Sequence, residues 1–349
     1  MKARLPYPKR QASGYVLILC VSVLALLMLG ATYMGRQISV ALTVAESERE
    51  AVEEEAQMAD ARAKVLFLLA TLPRTLQGIG AGDAAIVPDG RLYRLDEYTA
   101  VRFQDVRGLL SLNAISDTGA GRTMMERLLG TYGVDSDTAA RLIDALLDYR
   151  DTDNLRRLNG AEAEEYRAIG KEHLLRNGEL KTPRELVNVY GWAEVEALWG
   201  DDPITNHVSV FPRMVLNPNT AGWRVLVAIS GIAPEMAKDM LGTRSQGGIR
   251  DITPLIMPSL MSAPFSGGSA FLKMVGEETL VSFLPRNGRP GLRINVVHSP
   301  RSGFAPWRIQ YAERVQTDAA LAEWDQIPLL PDPEQIQSLR TPNQVQLPF

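Results

Sequence analysis

The chain has 349 residues, of which 46% are hydrophobic and 22% charged, enough apolar material for one or two folded domains and too much for a disordered polymer. Its formal net charge of −4 argues against a general nucleic-acid surface. A single cysteine, Cys20, excludes an intramolecular disulfide, so any exported part must be held by packing or by a bound ion.

Taken in chain order, a basic stretch (Lys2, Arg4, Lys9, Arg10) meets an uncharged run from Tyr15 to Gly35, long enough to cross a bilayer. The small residue at this junction lies before the apolar run, in Arg10-Gln11-Ala12-Ser13-Gly14-Tyr15, which reads as a prepilin-type leader cut after Gly14. Cleavage there leaves Tyr15 as a free N-terminus on an intact apolar helix. Two other readings stand beside it: an uncleaved signal anchor, and a conventional signal-peptide cut near Thr43-Val44-Ala45 that has to tolerate Arg36. The far flank, beyond Arg36, soon turns acidic (Glu46, Glu48, Glu50, Glu53, Glu54, Glu55), so the positive-inside rule puts the leader in the cytoplasm and the rest outside.

The helical pattern continues to Leu72, which predicts one helix roughly 85–90 Å long. Ala41, Ala45, Val52, Ala56, Ala59, Ala63, Phe67 and Ala70 form the stripe expected to lie on a domain, with the glutamates as a solvated face. Gly78-Ile79-Gly80-Ala81-Gly82 follows a helix instead of a strand, so it reads as a flexible linker and not a phosphate loop. Arg91–Leu95 and Tyr98–Val106 read as paired strands with Leu92, Tyr98, Val101 and Phe103 pointing inward. A second β-rich region comprises Phe271–Val275, Leu280–Leu284, Leu292–Val297 and Trp307–Val315, with turns at Asn287-Gly288 and Ser302-Gly303. Neither set has enough strands to stand alone, so one sheet interrupted by the helical block between them explains the order best.

Within that block, Gly133-Val134 with Ala139 recurs as Gly231-Ile232 with Ala237. The pattern is that of a helix-hairpin-helix, which can bring backbone N–H groups to a nucleic-acid phosphate. Ala233 stands where such hairpins usually need a second glycine, and Lys238 and Arg244 are few, so a compact helix-packing unit is the favoured reading. The acidic turn Asp148-Tyr149-Arg150-Asp151-Thr152-Asp153, followed by Glu162, suits a hard cation such as calcium or, equally, a solvated helix end. Asp151, Asp153 and Glu162 take positions one, three and twelve of an EF-hand register, but Leu155 and Arg156 break it. His173, His207 and His298 are isolated, and no P-loop or nucleophile elbow is present; the sequence points to no enzyme.

Together these residues resemble the general secretion pathway protein K family, the minor pseudopilins of type II secretion. The resemblance rests on the Gly14-Tyr15 junction, Arg107-Gly108-Leu109-Leu110-Ser111-Leu112-Asn113, the Asp148-to-Asp153 turn with Gly160-Ala161-Glu162, Thr182-Pro183-Arg184-Glu185-Leu186 and Leu216-Asn217-Pro218-Asn219-Thr220-Ala221. Departures are Pro218 for valine, Ala163 for an acid, Tyr149 for tryptophan, and a C-terminal third matched only by its β character. Leu19, fifth after the cut, stands where most pilin-like subunits carry a glutamate that pairs with the amine of the subunit ahead. An apolar residue there matches the family's pattern and suits a subunit with nothing ahead of it.

The resemblance implies an α+β pilin-like fold, a long N-terminal transmembrane helix packed on a small antiparallel sheet, with a large helical insertion domain. The implied division is 1–14 leader, 15–35 transmembrane segment, 36–106 extended helix and first part of the pilin-like domain, 107–266 insertion, 267–318 rest of the sheet, and 319–349 C-terminal tail. It further implies cleavage and N-methylation by a prepilin peptidase, and calcium held by Asp151, Asp153 and Glu162. The location implied is a single pass through the inner membrane with a periplasmic C-terminal domain. The partners implied are the major and other minor pseudopilins, at the tip of a pseudopilus whose assembly it initiates; no nucleic acid is expected. A membrane-anchored periplasmic DNA-binding protein of the helix-hairpin-helix type is the rival reading.

Overall fold

One α-helix, α1, runs from Tyr15 to Thr71, as the unbroken apolar pattern predicts. The computed structural model describes residues 15–244, except 77, 81, 83, 84 and 118, and residues 274–331. Gly14 with the leader, Phe271 to Lys273 and the last part of the C-terminal tail lie outside the described residues. Hydroxyls of Ser22, Thr32, Ser39 and Thr43 each donate to the carbonyl four residues earlier, at 2.8–3.0 Å, so these polar side chains are satisfied inside an otherwise apolar helix.

The chain divides into two compact units after Asp60. In the first, no described residue is buried. In the second, the buried residues of α1 are Ala61, Val65, Leu66, Leu68 and Leu69, continued by Leu72 just beyond it. This face differs from the alanine stripe that the sequence suggests: Ala63 and Phe67 are exposed. The i, i+4, i+7/i+8, i+11 set removes valine and leucine side chains from water, more apolar area than the alanines offer.

Five antiparallel strands form the sheet: β1 (Asp89–Arg94), β2 (Thr99–Asp105), β5 (Glu278–Pro285), β6 (Gly291–His298) and β7 (Trp307–Val315), side by side in that order. A separate parallel pair joins β3 (Leu110–Ser111) to β4 (Val208–Ser209). β2 pairs directly with β5, Val101 opposite Phe283 and Phe103 opposite Val281, so the sheet is one sheet interrupted by an insertion. One face carries Val101, Phe103, Val281, Phe283, Ile294 and Val296, all buried. The other mixes Ala100, Leu280 and Leu284 with Arg102, Gln104, Ser282, Arg293 and Asn295.

Three details differ from the sequence reading. Tyr98 is 56% exposed because it belongs to the β1–β2 turn, where Asp96 Oδ1 accepts from the backbone of Tyr98 and Thr99 at 2.9 and 2.8 Å. Met274 and Val275 are not in a strand; Asn217 Nδ2 donates to the Met274 carbonyl and takes the place of a ladder partner. The glycine-rich segment after α1 is no flexible linker. Ile79 and Ile86 exchange backbone hydrogen bonds at 2.8 Å and are fully buried, and a Cβ on Gly78 would fall 2.2 Å from the Ile86 carbonyl.

The insertion contains α2 (Ala120–Gly130), α3 (Ser136–Arg150), α4 (Ala163–Ala168), α5 (Trp223–Ser230) and α6 (Pro234–Arg244). Gly133 and Gly231, with φ of +78° and +71°, make the two helix-to-helix turns that the repeat predicts. Met124, Leu128 and Leu129 of α2, Ile143 and Leu146 of α3 and Leu226 of α5 belong to one core with Trp192, whose Nε1 donates to the Leu142 carbonyl at 2.8 Å.

Candidate cation site and the anchoring of the insertion

α3 opens at Asp135, whose side chain accepts from the backbone of Asp137 and Thr138, and closes where Asp151 N donates to the Leu147 carbonyl at 3.0 Å. Its last turns are enclosed, so Asp144 and Asp148 are both buried. The chain then doubles back over them. Asn159 donates to Asp144 Oδ2 from its side chain at 3.0 Å, and Arg157 donates to Asp148 from its backbone N at 3.3 and 3.2 Å and from Nη1 at 2.6 Å. This return brings Glu162, at the start of α4, to the end of α3.

Carboxylate oxygens of Asp151, Asp153 and Glu162 lie within 4.8 Å of one another, so the three residues singled out in the sequence do converge. Asp151 is half-buried, Asp153 exposed, and Glu162 only 5% exposed. Asp151 Oδ1 and both oxygens of Glu162 are buried without a hydrogen-bond partner. Burial, with Asp148, Asp151 and Asp153 nearby, pushes the Glu162 carboxyl up to about 7. Unpartnered buried oxygens of two acids, with a third acid beside them, fit a hard cation, which supplies the missing charge and coordination together. Arg157 is the residue that pattern reading missed. The signal was a cation inside an acidic turn, which spacing alone does not connect to Asp148.

Elsewhere the quoted motifs anchor the insertion to the sheet. Asp105, at the end of β2, is fully buried and accepts from Arg107 N, Asn217 Nδ2 and Thr220 Oγ1, each at 3.1 Å, while Asn217 N donates to the Arg107 carbonyl at 2.7 Å. Burial still leaves its carboxyl raised above the ordinary range. Asn113 donates to the Leu180 and Val210 carbonyls and accepts from Leu180 N, tying the segment after β3 to two distant loops. Glu185 Oε1 accepts from the backbone of Lys181 and Thr182 at 2.7 and 3.1 Å, with Pro183 opening the short 3₁₀ helix Pro183–Asn188.

Of the histidines, His207 is buried and paired with Asp202 at 2.8 Å, a packing role. At the second hairpin, the Arg127 guanidinium lies against Gly231, within 2.9–3.2 Å of where a Cβ would be, so a side chain of α2 fills the space beside that glycine. Tyr15 and Leu19 lie on α1, 71% and 51% exposed, in the segment long and apolar enough to span a membrane.

Residues 108–197 match the family model for type II secretion system (T2SS) protein K. The fold is similar to that of a chain in the crystal structure of the GspK-GspI-GspJ complex from the enterotoxigenic Escherichia coli type 2 secretion system. The TM-score is 0.54 at 17% identity, and the match covers 78% of this chain and 99% of that one. At that identity the likeness establishes the fold: α+β and pilin-like, with a long N-terminal helix, an antiparallel sheet and a helical domain. No curated protein sequence matches the chain significantly.

Proposed function

From the match of residues 108–197 to the type II secretion system protein K model, we propose that this chain is a minor pseudopilin of that family and occupies the tip of the pseudopilus. There it initiates assembly and supports export of folded proteins across the outer membrane. The family match carries the reading, and two features of the chain support it. The insertion leaves the sheet at the end of β2 and re-enters at β5, beside the C-terminal end of α1, where Arg74 Nε donates to the Gly276 carbonyl at 2.7 Å. In a filament built by stacking such helices, a domain at that end takes the place of the next subunit. Leu19 adds that no carboxylate is carried into the lipid for a neighbour's amine to neutralise.

The partners are other minor pseudopilins and the major pseudopilin beneath them. The exposed Ala56, Ala59, Ala63 and Phe67 provide a close-packing surface for their N-terminal helices. A prepilin peptidase removes residues 1–14 and methylates Tyr15, and the helix anchors the chain once in the inner membrane with the folded part in the periplasm. Calcium is held by Asp151, Asp153 and Glu162; it neutralises the acids and fixes the loop between α3 and α4.

Mass spectrometry of membrane-derived protein tests the assignment: the mature chain should begin at a methylated Tyr15. A start near Glu46, or retention of Met1 in the presence of the peptidase, overturns it. Crosslinking from α1 should reach the other minor pseudopilins; crosslinks distributed along the whole filament overturn the tip position.

A further inference from the structure

We propose that Arg157 is a positioning residue of the cation site, bridging Asp148 and Asp151 so that Asp151 presents its other oxygen to the ion; the inference rests on the calcium reading above. Arg157 Nη1 donates to Asp148 Oδ1 and to Asp151 Oδ2, each at 2.6 Å. Asp151 Oδ1 is left buried and without a partner, as are both oxygens of Glu162, on the three acids that converge within 4.8 Å. The two oxygens of Asp151 are therefore divided between the guanidinium and the candidate site. Arg157 is itself held at its backbone, since its N donates to the fully buried Asp148. A chain of contacts runs from the buried turn of α3 through Arg157 to Asp151.

Two effects oppose each other when such an arginine is removed. A positive charge near the ion is lost, which favours cation binding. The ligand also loses the group that orients it, which in metal sites typically costs 10–100-fold in affinity. Positioning wins here because the Arg157 charge is already matched by Asp148, which has no exposed surface, so the pair exerts little net field on the ion.

The test is calcium titration calorimetry on the full chain in detergent, with the cation-free melting temperature measured alongside. Because Arg157→Gln alone strands a buried carboxylate, it is paired with Asp148→Asn, which removes both charges together. Calcium affinity of this double variant should fall at least tenfold, with cation-free melting close to that of the unmodified chain. Arg157→Lys should also weaken binding, because lysine is one atom shorter and does not carry its ammonium to the place of the single Nη1 that bridges the two carboxylates. Equal or tighter binding by the double variant, or full affinity with lysine, shows Arg157 to be a counter-charge only and overturns the proposal. A loss of affinity that merely follows a loss of cation-free stability in both variants overturns it as well. No calcium-dependent heat from the unmodified chain would overturn the calcium reading itself, a result distinct from these.

Discussion

Gly160 stands against Asp148 so closely that a Cβ at position 160 would fall 1.9 Å from Asp148 Oδ2. The need here is space for the loop to close over the end of α3, not a left-handed backbone. Gly160→Ala should destabilise the chain by roughly 2–3 kcal/mol, because Asp148 has to give up its place in a packed interior. Gly130→Ala meets nothing within 4 Å and should change stability by less than about 1 kcal/mol. Urea denaturation of the two variants measures the contrast.

Asp151→Ala with Asp153→Ala should lower the melting temperature in calcium and change it little in chelator. Calcium affinity of the unmodified chain should fall in the micromolar-to-millimolar range, since few carboxylates are offered and no EF-hand loop is present. Melting curves with calcium and with chelator, recorded for both proteins, check this; coincident curves for the unmodified chain would leave a solvated turn.

Leu19→Ala should be tolerated in assembly and secretion, whereas Leu19→Glu should impair insertion or admit the subunit below the tip. The physical term is the cost of an ionisable group in lipid, on the order of a few kcal/mol unless it is protonated or paired. Crosslinking from α1 to the other pseudopilins distinguishes the outcomes, and an absolute requirement for leucine itself would count against the tip argument.

Asp202 should contribute stability that is lost in acid. Burial pushes its carboxyl up, but hydrogen bonds from His207 Nε2 at 2.8 Å and Arg224 Nε at 3.0 Å outweigh burial and hold it well below the usual range. A depressed folded-state value gives stability that is fully present above the unfolded value near 4 and is lost progressively as pH falls from there through the folded-state value. Asp202 is 45% exposed at its side chain, so the share is modest, up to about 1 kcal/mol. Asp202→Asn should therefore lower stability at pH 7 by that order, with the difference starting to narrow below about pH 4 and closing only well below pH 3, as read from urea midpoints across pH.

What the sequence determined by itself was everything that rests on local periodicity and on residues near one another. The apolar run and unbroken helical spacing define α1. Alternation and turn glycines define β5, β6 and β7, with Gly288 in the turn between the first two. Two glycines with the same downstream alanine define the helical hairpins, and the oxygen-rich turn led to Asp151, Asp153 and Glu162.

The tertiary structure alone decided which of several compatible faces and partners would be used. Ala63 and Phe67 share a helical period with the face that is buried, but Val65, Leu68 and Leu69 remove more apolar surface from water and take the interior. Ile79 and Ile86 pair and are buried beside the glycines because burying two isoleucines outweighs the freedom the glycines offer. Asp105 and Thr220 stand 115 positions apart, and their hydrogen bond exists only because the insertion folds back onto the end of β2. Arg157 likewise reads as one more charge in a loop until α3 buries Asp148 beneath it, since a carboxylate held away from water draws in whatever cation the returning chain brings within reach.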